Sequence, residues 1–160
     1  MAHKNNNRDG IRAGVPAASV KGGVELKLSQ GASIYINTGN GQNQGARPYQ
    51  EDSFGYSNIT DSNVVTGKGM FAILSDGMGG LSNGKSVADY VVSASIAMFE
   101  KVNPRADIPS QLKQIAGYIN SEICKQYAGE NGTSTAGATM VLAYIFKNRI
   151  YLYGAIILRQ

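Results

Sequence analysis

Two short acidic segments contain the residues best suited to chemistry in this chain. The first has the sequence RPYQED at residues 47–52, which places a cation four residues before a pair of carboxylates. The second has the sequence SDGMGG at residues 75–80 and follows the apolar run 70–74. Hard divalent cations such as Mg²⁺ and Mn²⁺ prefer carboxylate and carbonyl oxygens, and a guanidinium binds phosphate oxygens in a bidentate manner. Together the segments indicate a two-metal site that hydrolyses a phosphate ester.

The residues of these segments are suited to different tasks. Asp76 ends a predicted strand and could bridge two metal ions, and the Gly77 carbonyl can be a ligand because no side chain blocks its approach. Glu51 and Asp52 are adjacent, so on an extended strand they point to opposite faces. We expect Glu51 to be a direct or outer metal ligand and to act with Asp76 in catalysis. Asp52 would belong to the metal site as a residue that orients its outer ligands or anchors the strand, and Arg47 would bind the phosphate.

Each segment also has an ordinary structural interpretation. Asp-Gly is a common turn dipeptide, Glu-Asp is usually a solvated pair, and Arg47 before Pro48 would be an exposed loop cation. The glycine-rich loop at 39–45 could approach a phosphate, but it lacks the Gly-Lys-Ser/Thr ending of a nucleotide-binding loop. The metal-site interpretation therefore depends on the order and spacing of both acidic segments.

Composition favours one folded domain. The chain has 160 residues, of which 42% are hydrophobic and 16% are charged, and its net charge is +4. The polar, glycine-rich residues 1–24 are expected to form a flexible leader, which leaves residues 25–160 as the domain. Basic residues are not clustered with aromatic ones, so we do not expect nucleic-acid binding. The positive charge is compatible with a phosphorylated partner.

The single cysteine bears on the compartment. Cys124 lies in an apolar helical pattern and cannot form an intramolecular disulfide, so it is expected to be a core thiol. The start of the chain lacks the apolar region of a signal peptide, and no stretch reaches the length of a membrane span. A reducing cytoplasm is the expected location, without a membrane partner.

Hydrophobic periodicity predicts an α+β fold. Two helices are expected, from residue 82 or 83 to about 101 and from 110 to about 127, because their apolar residues recur at helical spacing. Residues 58–68 are expected to be turns. The apolar run 70–74 predicts a strand buried on both faces. The predicted strands are 24–28, 32–37, 53–57, 70–74, 140–146 and 149–158, the last two forming a hairpin. The order favours a mostly antiparallel sheet with two helices packed on one face.

The combined motifs resemble a known family. The spacing of RPYQED at 47–52, FAILSDGMGG at 71–80 and GATMVLA at 137–143 is similar to that of the metal-dependent serine/threonine protein phosphatases (PPM type, class 2C), and Met78 resembles the bacterial branch. The resemblance spans roughly residues 30–153. It implies an α-β-β-α sandwich, two Mn²⁺ or Mg²⁺ ions, a phosphoprotein substrate and a metal-activated water as nucleophile. It also implies that Asp76 bridges the metals and that Glu51 acts through water.

The chain departs from the family pattern near its end. The resemblance implies two later metal-binding aspartates, but no Asp or Glu follows Glu130. We therefore expect a phosphatase domain that is truncated at its C-terminal side and forms a partial sandwich. The alternative is a catalytically inactive fragment that acts as a binding module. The apolar residues 156–158 would lie at an exposed sheet edge, which predicts self-association through that edge.

Overall fold

A computed structural model describes residues 24–27, 33–44, 46, 49–78, 83–127 and 136–158. The predicted leader lies outside the described residues, except for Val24. The elements in chain order are β1 (Val24–Lys27), β2 (Ser33–Ile36), β3 (Asp52–Tyr56), α1 (Ser62–Lys68), β4 (Met70–Asp76), α2 (Gly84–Phe99), α3 (Ile108–Gln126), β5 (Gly137–Phe146) and β6 (Arg149–Leu158).

The main sheet is antiparallel. It has four strands in the order β3-β4-β5-β6, and β1 and β2 form a separate two-stranded sheet. A two-residue turn at Lys147 and Asn148 joins β5 to β6, and Lys147 has a φ of 55°. The predicted hairpin is therefore present, and β5 extends further toward its N-terminal side than predicted, to Gly137.

Helices α2 and α3 cover one face of this sheet. Helix α2 packs against β3, β4 and β5, and α3 packs against β6. The core between the layers contains an aromatic group: the Phe71 ring stacks on Phe99 at a centroid distance of 4.9 Å, and Tyr144 meets Phe99 edge-on at 5.3 Å. The predicted α+β class, with two helices on one face of an antiparallel sheet, is confirmed.

The short helix α1 was not predicted. Its sequence, SNVVTGK, contains residues with weak helix propensity, which explains the expectation of turns. The Asp61 side chain caps its start by accepting hydrogen bonds from the backbone N–H groups of Asn63 and Val64. Val65 is 1% exposed and packs against apolar residues from three other parts of the chain, namely Ile36, Ile59 and Ile145. Tertiary packing and a cap therefore stabilise a helix that local propensity disfavours.

The prediction for β4 does not hold on the face of the sheet that lies opposite α2 and α3. We call this the outer face and define it by Asp52, Phe54, Asp76, Leu74, Val141, Leu152 and Ile156. Leu74 is 51% exposed on this face, whereas its neighbour Ile73 is 3% exposed on the helix side. The prediction that β4 is buried on both faces is therefore wrong for Leu74.

Within the described residues, no helix combines the length and apolar character needed to cross a membrane.

Candidate functional site

The strand register brings two carboxylates together at one end of the outer face. Asp52 at the start of β3 is directly opposite Asp76 at the end of β4. Residues directly opposite each other in an antiparallel pair point to the same side of the sheet. Asp76 is exposed and Asp52 is half-buried. The two side chains therefore share one edge of the outer face and are open to solvent.

The backbone hydrogen bonds show that Asp52 and Asp76 form the more closely spaced type of cross-strand pair. The Gly77 N–H donates to the Glu51 carbonyl at 3.2 Å, and the Ser57 N–H donates to the Phe71 carbonyl at 2.8 Å. Because bonded and non-bonded pairs alternate along an antiparallel ladder, Asp52 and Asp76 form a non-hydrogen-bonded pair. Such pairs have Cα atoms only about 4.5 Å apart. The two carboxylates therefore start from adjacent points of one face, and a side-chain cation is also near, since Lys85 Nζ lies 3.5 Å from the Asp52 carbonyl oxygen.

Glu51 faces the other side of the sheet. It is only 7% exposed, and its Oε1 atom lies 3.0 Å from the position that a Cβ on Gly84 would occupy. Gly84 is the first residue of α2, so the Glu51 carboxylate lies against the positive end of a helix, where negative charge is stabilised. We expected Glu51 to act beside Asp76, but the register brings Asp52 to Asp76 on the outer face.

Two glycines allow the strand end and the helix start to approach closely. A Cβ on Gly77 would lie 2.5 Å from the Gly84 carbonyl oxygen and 2.9 Å from the Glu51 carbonyl oxygen. A Cβ on Gly84 would lie 2.8 Å from the Met78 carbonyl oxygen. Real Cβ atoms do not make contacts this short, so a side chain at residue 77 or 84 would require the backbone to shift. Their contact fixes Glu51 and the end of β4 against α2.

Side chains from neighbouring strands hold the acidic pair in place. The backbone N–H of Asp76 donates to Thr139 Oγ1 at 2.9 Å, and Ser75 Oγ donates to the Thr139 carbonyl at 2.7 Å. Gln50 Nε2 donates to Asp52 Oδ2 at 2.7 Å. From the sequence, Thr139 is recognisable only as part of a strand motif, and Gln50 has no predicted role. A threonine at the start of β5 indicates a possible side-chain hydrogen bond, but its partner on β4 depends on the register between the two strands.

A cavity adjoins Asp52 on the outer face. The loop before β3 crosses that strand, because Tyr56 Oη donates to the Gly39 carbonyl at 3.0 Å and Gln42 Nε2 donates to the Asp52 carbonyl at 3.1 Å. The cavity between loop and sheet has a volume of about 420 Å³. It is lined by Gly39, Asn40, Gly41, Gln42, Asn43, Asp52, Phe54, Tyr56, Ala72, Ile73, Leu74, Val141 and Ala143. It therefore has an apolar floor, polar loop residues and a carboxylate at one side.

Only a few of the described acidic side chains are placed where they could bind a metal ion. In the part of the chain that the structure describes, no group of three or more His, Cys, Asp or Glu side chains is placed to hold a metal ion. Asp52 and Asp76 supply carboxylate oxygens on one face, and the Gly77 carbonyl follows directly in the chain. These all-oxygen donors suit Mg²⁺ or Mn²⁺. Arg47, the predicted phosphate-binding residue, lies outside the described residues.

No protein-family model matches the chain, and no curated protein matches it.

Proposed function

We propose that this chain is a metal-dependent phosphoric monoester hydrolase that removes phosphate from phosphoserine and phosphothreonine in proteins. The main support is the close cross-strand pair of Asp52 and Asp76 on the outer face. Two carboxylates on adjacent strands of one accessible face supply the oxygen donors that Mg²⁺ or Mn²⁺ prefers. The spacing of the acidic motifs, which resembles that of PPM-type phosphatases, supports the substrate class.

The chain's residues would share the work as follows. A divalent metal supplies a water of lowered pKa and neutralises phosphate charge when it is bound. Asp52 and Asp76 would hold the cation together with the Gly77 carbonyl. The guanidinium of Arg47 would orient the phosphate oxygens. This assigns Asp52 to the metal more directly than the sequence did.

Glu51 would support the site from the helix side. Its buried carboxylate lies against Gly84 at the start of α2, and its carbonyl accepts the Gly77 N–H. Through this contact it would position the Gly77 carbonyl, and it would reach a metal only through water. Thr139 would act similarly on Asp76 by fixing the backbone N–H of that residue.

The cavity beside Asp52 supports a peptide substrate rather than free phosphate alone. Its apolar floor and polar loop would accept the side chain that flanks the phosphorylated residue, since peptide-binding pockets combine apolar walls with a few polar groups.

A cytoplasmic location belongs to the same proposal and is supported by the single cysteine.

The test is Mn²⁺-dependent release of phosphate from a phosphothreonine peptide by the purified chain. Asp76→Asn and Asp52→Asn should each lower the rate by at least about 100-fold, since each removes a metal-binding charge. Asp107→Asn is the matched control because Asp107 is an exposed N-cap residue of α3 and Asn caps a helix equally well. The control variant should keep full activity.

Other outcomes would contradict the proposal in different ways. A folded chain that binds Mn²⁺ through Asp52 and Asp76 but releases no phosphate would support the alternative of a non-catalytic binding module. Phosphate release that is equal in all three Asn variants would place the activity outside this acidic pair.

A further inference from the structure

The strand β6 forms one edge of the four-stranded sheet. The tight hairpin pairs Phe146 with Arg149. Every second pair further along the two strands is of the same type, beginning with Tyr144 and Tyr151. In such a hairpin the pair that flanks the turn is hydrogen-bonded. The odd-numbered residues of β6 therefore direct their backbone groups toward β5. The bond from the Met78 N–H to the Gly137 carbonyl at 3.0 Å agrees, because it shows that Gly137 of β5 bonds toward β4.

The even-numbered residues consequently direct their N–H and C=O groups away from the sheet. They are Ile150, Leu152, Gly154 and Ile156. Among the described residues, no backbone hydrogen bond is made along this edge. An edge of this length is a template for pairing with another strand.

The side chains of the same residues make the edge apolar. Ile150 is 66% exposed, Leu152 is 74% exposed and Ile156 is 64% exposed. Residues 150–158 include no charged residue and no proline. Natural edge strands are usually protected by lysine, proline or a bulge, and β6 has a regular ladder to β5 over its whole length. The edge therefore lacks the usual protection against strand addition.

We propose that β6 pairs with β6 of a second copy of this chain, antiparallel and around a two-fold axis at Tyr153. This register makes Ile150 face the partner's Ile156 and Leu152 face the partner's Gly154. All four outward-directed residues of each strand then form hydrogen-bonded pairs, and the sheet becomes continuous across both chains. The inference does not depend on the metal site.

Shape and charge both favour a second copy as the occupant. A Cβ at Gly154 would have only the Met140 carbonyl oxygen within 4 Å, at 3.9 Å, so space is open beside it for a large side chain from the facing strand. The partner's Leu152 fills that space in this register. Arg149 is the only charged residue of β6, and the two copies of it would be about 27 Å apart along the strands, which is well beyond the screening length.

The first test is the mass of the full chain in solution by sedimentation, measured over a wide range of concentrations without metal. We expect twice the chain mass of 17.0 kDa, and a monomer throughout would overturn the proposal. Gly154→Pro should give a monomer, because proline removes an outward N–H that the chain's own ladder does not use. The matched control is Leu74→Lys, which adds charge to the exposed outer face two strands away from the edge and should leave the dimer intact.

Disulfide cross-linking tests the register. In a Cys124→Ser background, Tyr153→Cys should form a disulfide-linked dimer on mild oxidation, because directly opposite Cβ atoms lie within bridging range. Ile156→Cys should not, since the two copies of that residue would be about 20 Å apart. Equal cross-linking of both variants would overturn this register. A dimer that persists in Gly154→Pro but is lost in Leu74→Lys would assign the contact to the outer face and overturn edge pairing.

Discussion

The two faces of the same four strands differ in almost every physical respect. On the helix side, Phe71, Leu142 and Tyr144 are fully buried beneath α2 and α3. On the outer face, Leu74 and Val141 are about half exposed, at 51% and 50%. Because side chains alternate along a strand, one backbone serves both faces. The comparison indicates that the helix side contains the core, while the outer face remains accessible to other molecules.

The acidic residues follow the same division. Asp52 and Asp76 are on the outer face, whereas Glu51 is buried on the helix side against Gly84. A buried carboxylate at a helix start is a stabilising arrangement, while the carboxylates of Asp52 and Asp76 remain accessible to solvent.

The largest difference between the faces should appear when Phe71 and Leu74 are truncated on the same strand. Phe71→Ala should lower the free energy of unfolding by about 3–5 kcal/mol, because it leaves a cavity beside the stacked Phe99 ring. Leu74→Ala should lower it by about 1 kcal/mol or less, since half of that side chain is already exposed. Urea denaturation of both variants measures the difference. Equal losses would mean that the outer face is as well packed as the helix side.

The sequence predicted the parts of the fold that depend on local pattern. Helices α2 and α3 and the β5-β6 hairpin follow from periodicity and turn residues that are visible in a short window. Helix α1 was not predictable because its stability comes from the Asp61 cap and from the burial of Val65, in part against Ile36 and Ile145, which are distant in the chain. The exposure of Leu74 was not predictable either, since an apolar run does not show which layers cover it.

The sequence analysis named the residues of the candidate site, but it did not predict how they are arranged. The acidic segments identified Glu51, Asp52 and Asp76, and the adjacency of the first two correctly placed them on opposite faces. Which of them lies beside Asp76 depends on the β3-β4 register, which a single strand does not contain. The support from Thr139 to Asp76 likewise spans 63 positions in the chain.

The next prediction compares a glycine at the strand end with a glycine on an exposed helix surface. Gly77→Ala should lower the free energy of unfolding by about 1–3 kcal/mol, because its Cβ would overlap the Gly84 carbonyl. Gly117→Ala should raise it by about 0.4–1 kcal/mol, since Gly117 lies in α3 with no atom within 4 Å of its Cβ position and alanine restricts the unfolded chain. Thermal and urea denaturation check both signs. A neutral Gly77→Ala would mean that the start of α2 can move away from β4.

Tyr144 gives a pH test of the helix side. Burial, and secondarily the nearby Tyr151, raises the pKa of Tyr144 above the ordinary tyrosine range, and its hydroxyl donates to the Lys68 carbonyl at 2.5 Å. The neutral form is favoured in the folded state, so its contribution is complete below about pH 10 and is lost as the pH rises further. The free energy of unfolding should fall by up to about 1.4 kcal/mol per pH unit above pH 10. Tyr144→Phe should reduce this slope, whereas Tyr35→Phe, at an exposed position, should not.

The smallest effect is expected at the acidic pair, where the substitution should raise the stability. In a chelator, Asp52→Asn should raise the free energy of unfolding by about 0.2–1 kcal/mol, because it removes the repulsion from Asp76. Saturating Mn²⁺ should stabilise the unchanged chain by mass action and should stabilise the variant much less. The two proteins should therefore exchange their order of stability as Mn²⁺ is added.

Thermal denaturation with and without Mn²⁺ measures this exchange, and Asp107→Asn is the control. If Asp52→Asn loses stability in the chelator, the hydrogen bond from Gln50 to the Asp52 carboxylate outweighs the repulsion. The acidic pair would then be a structural feature that does not need a cation. A reversal of order that occurs only when Mn²⁺ is present would identify the outer face as the side of the sheet where stability depends on a ligand.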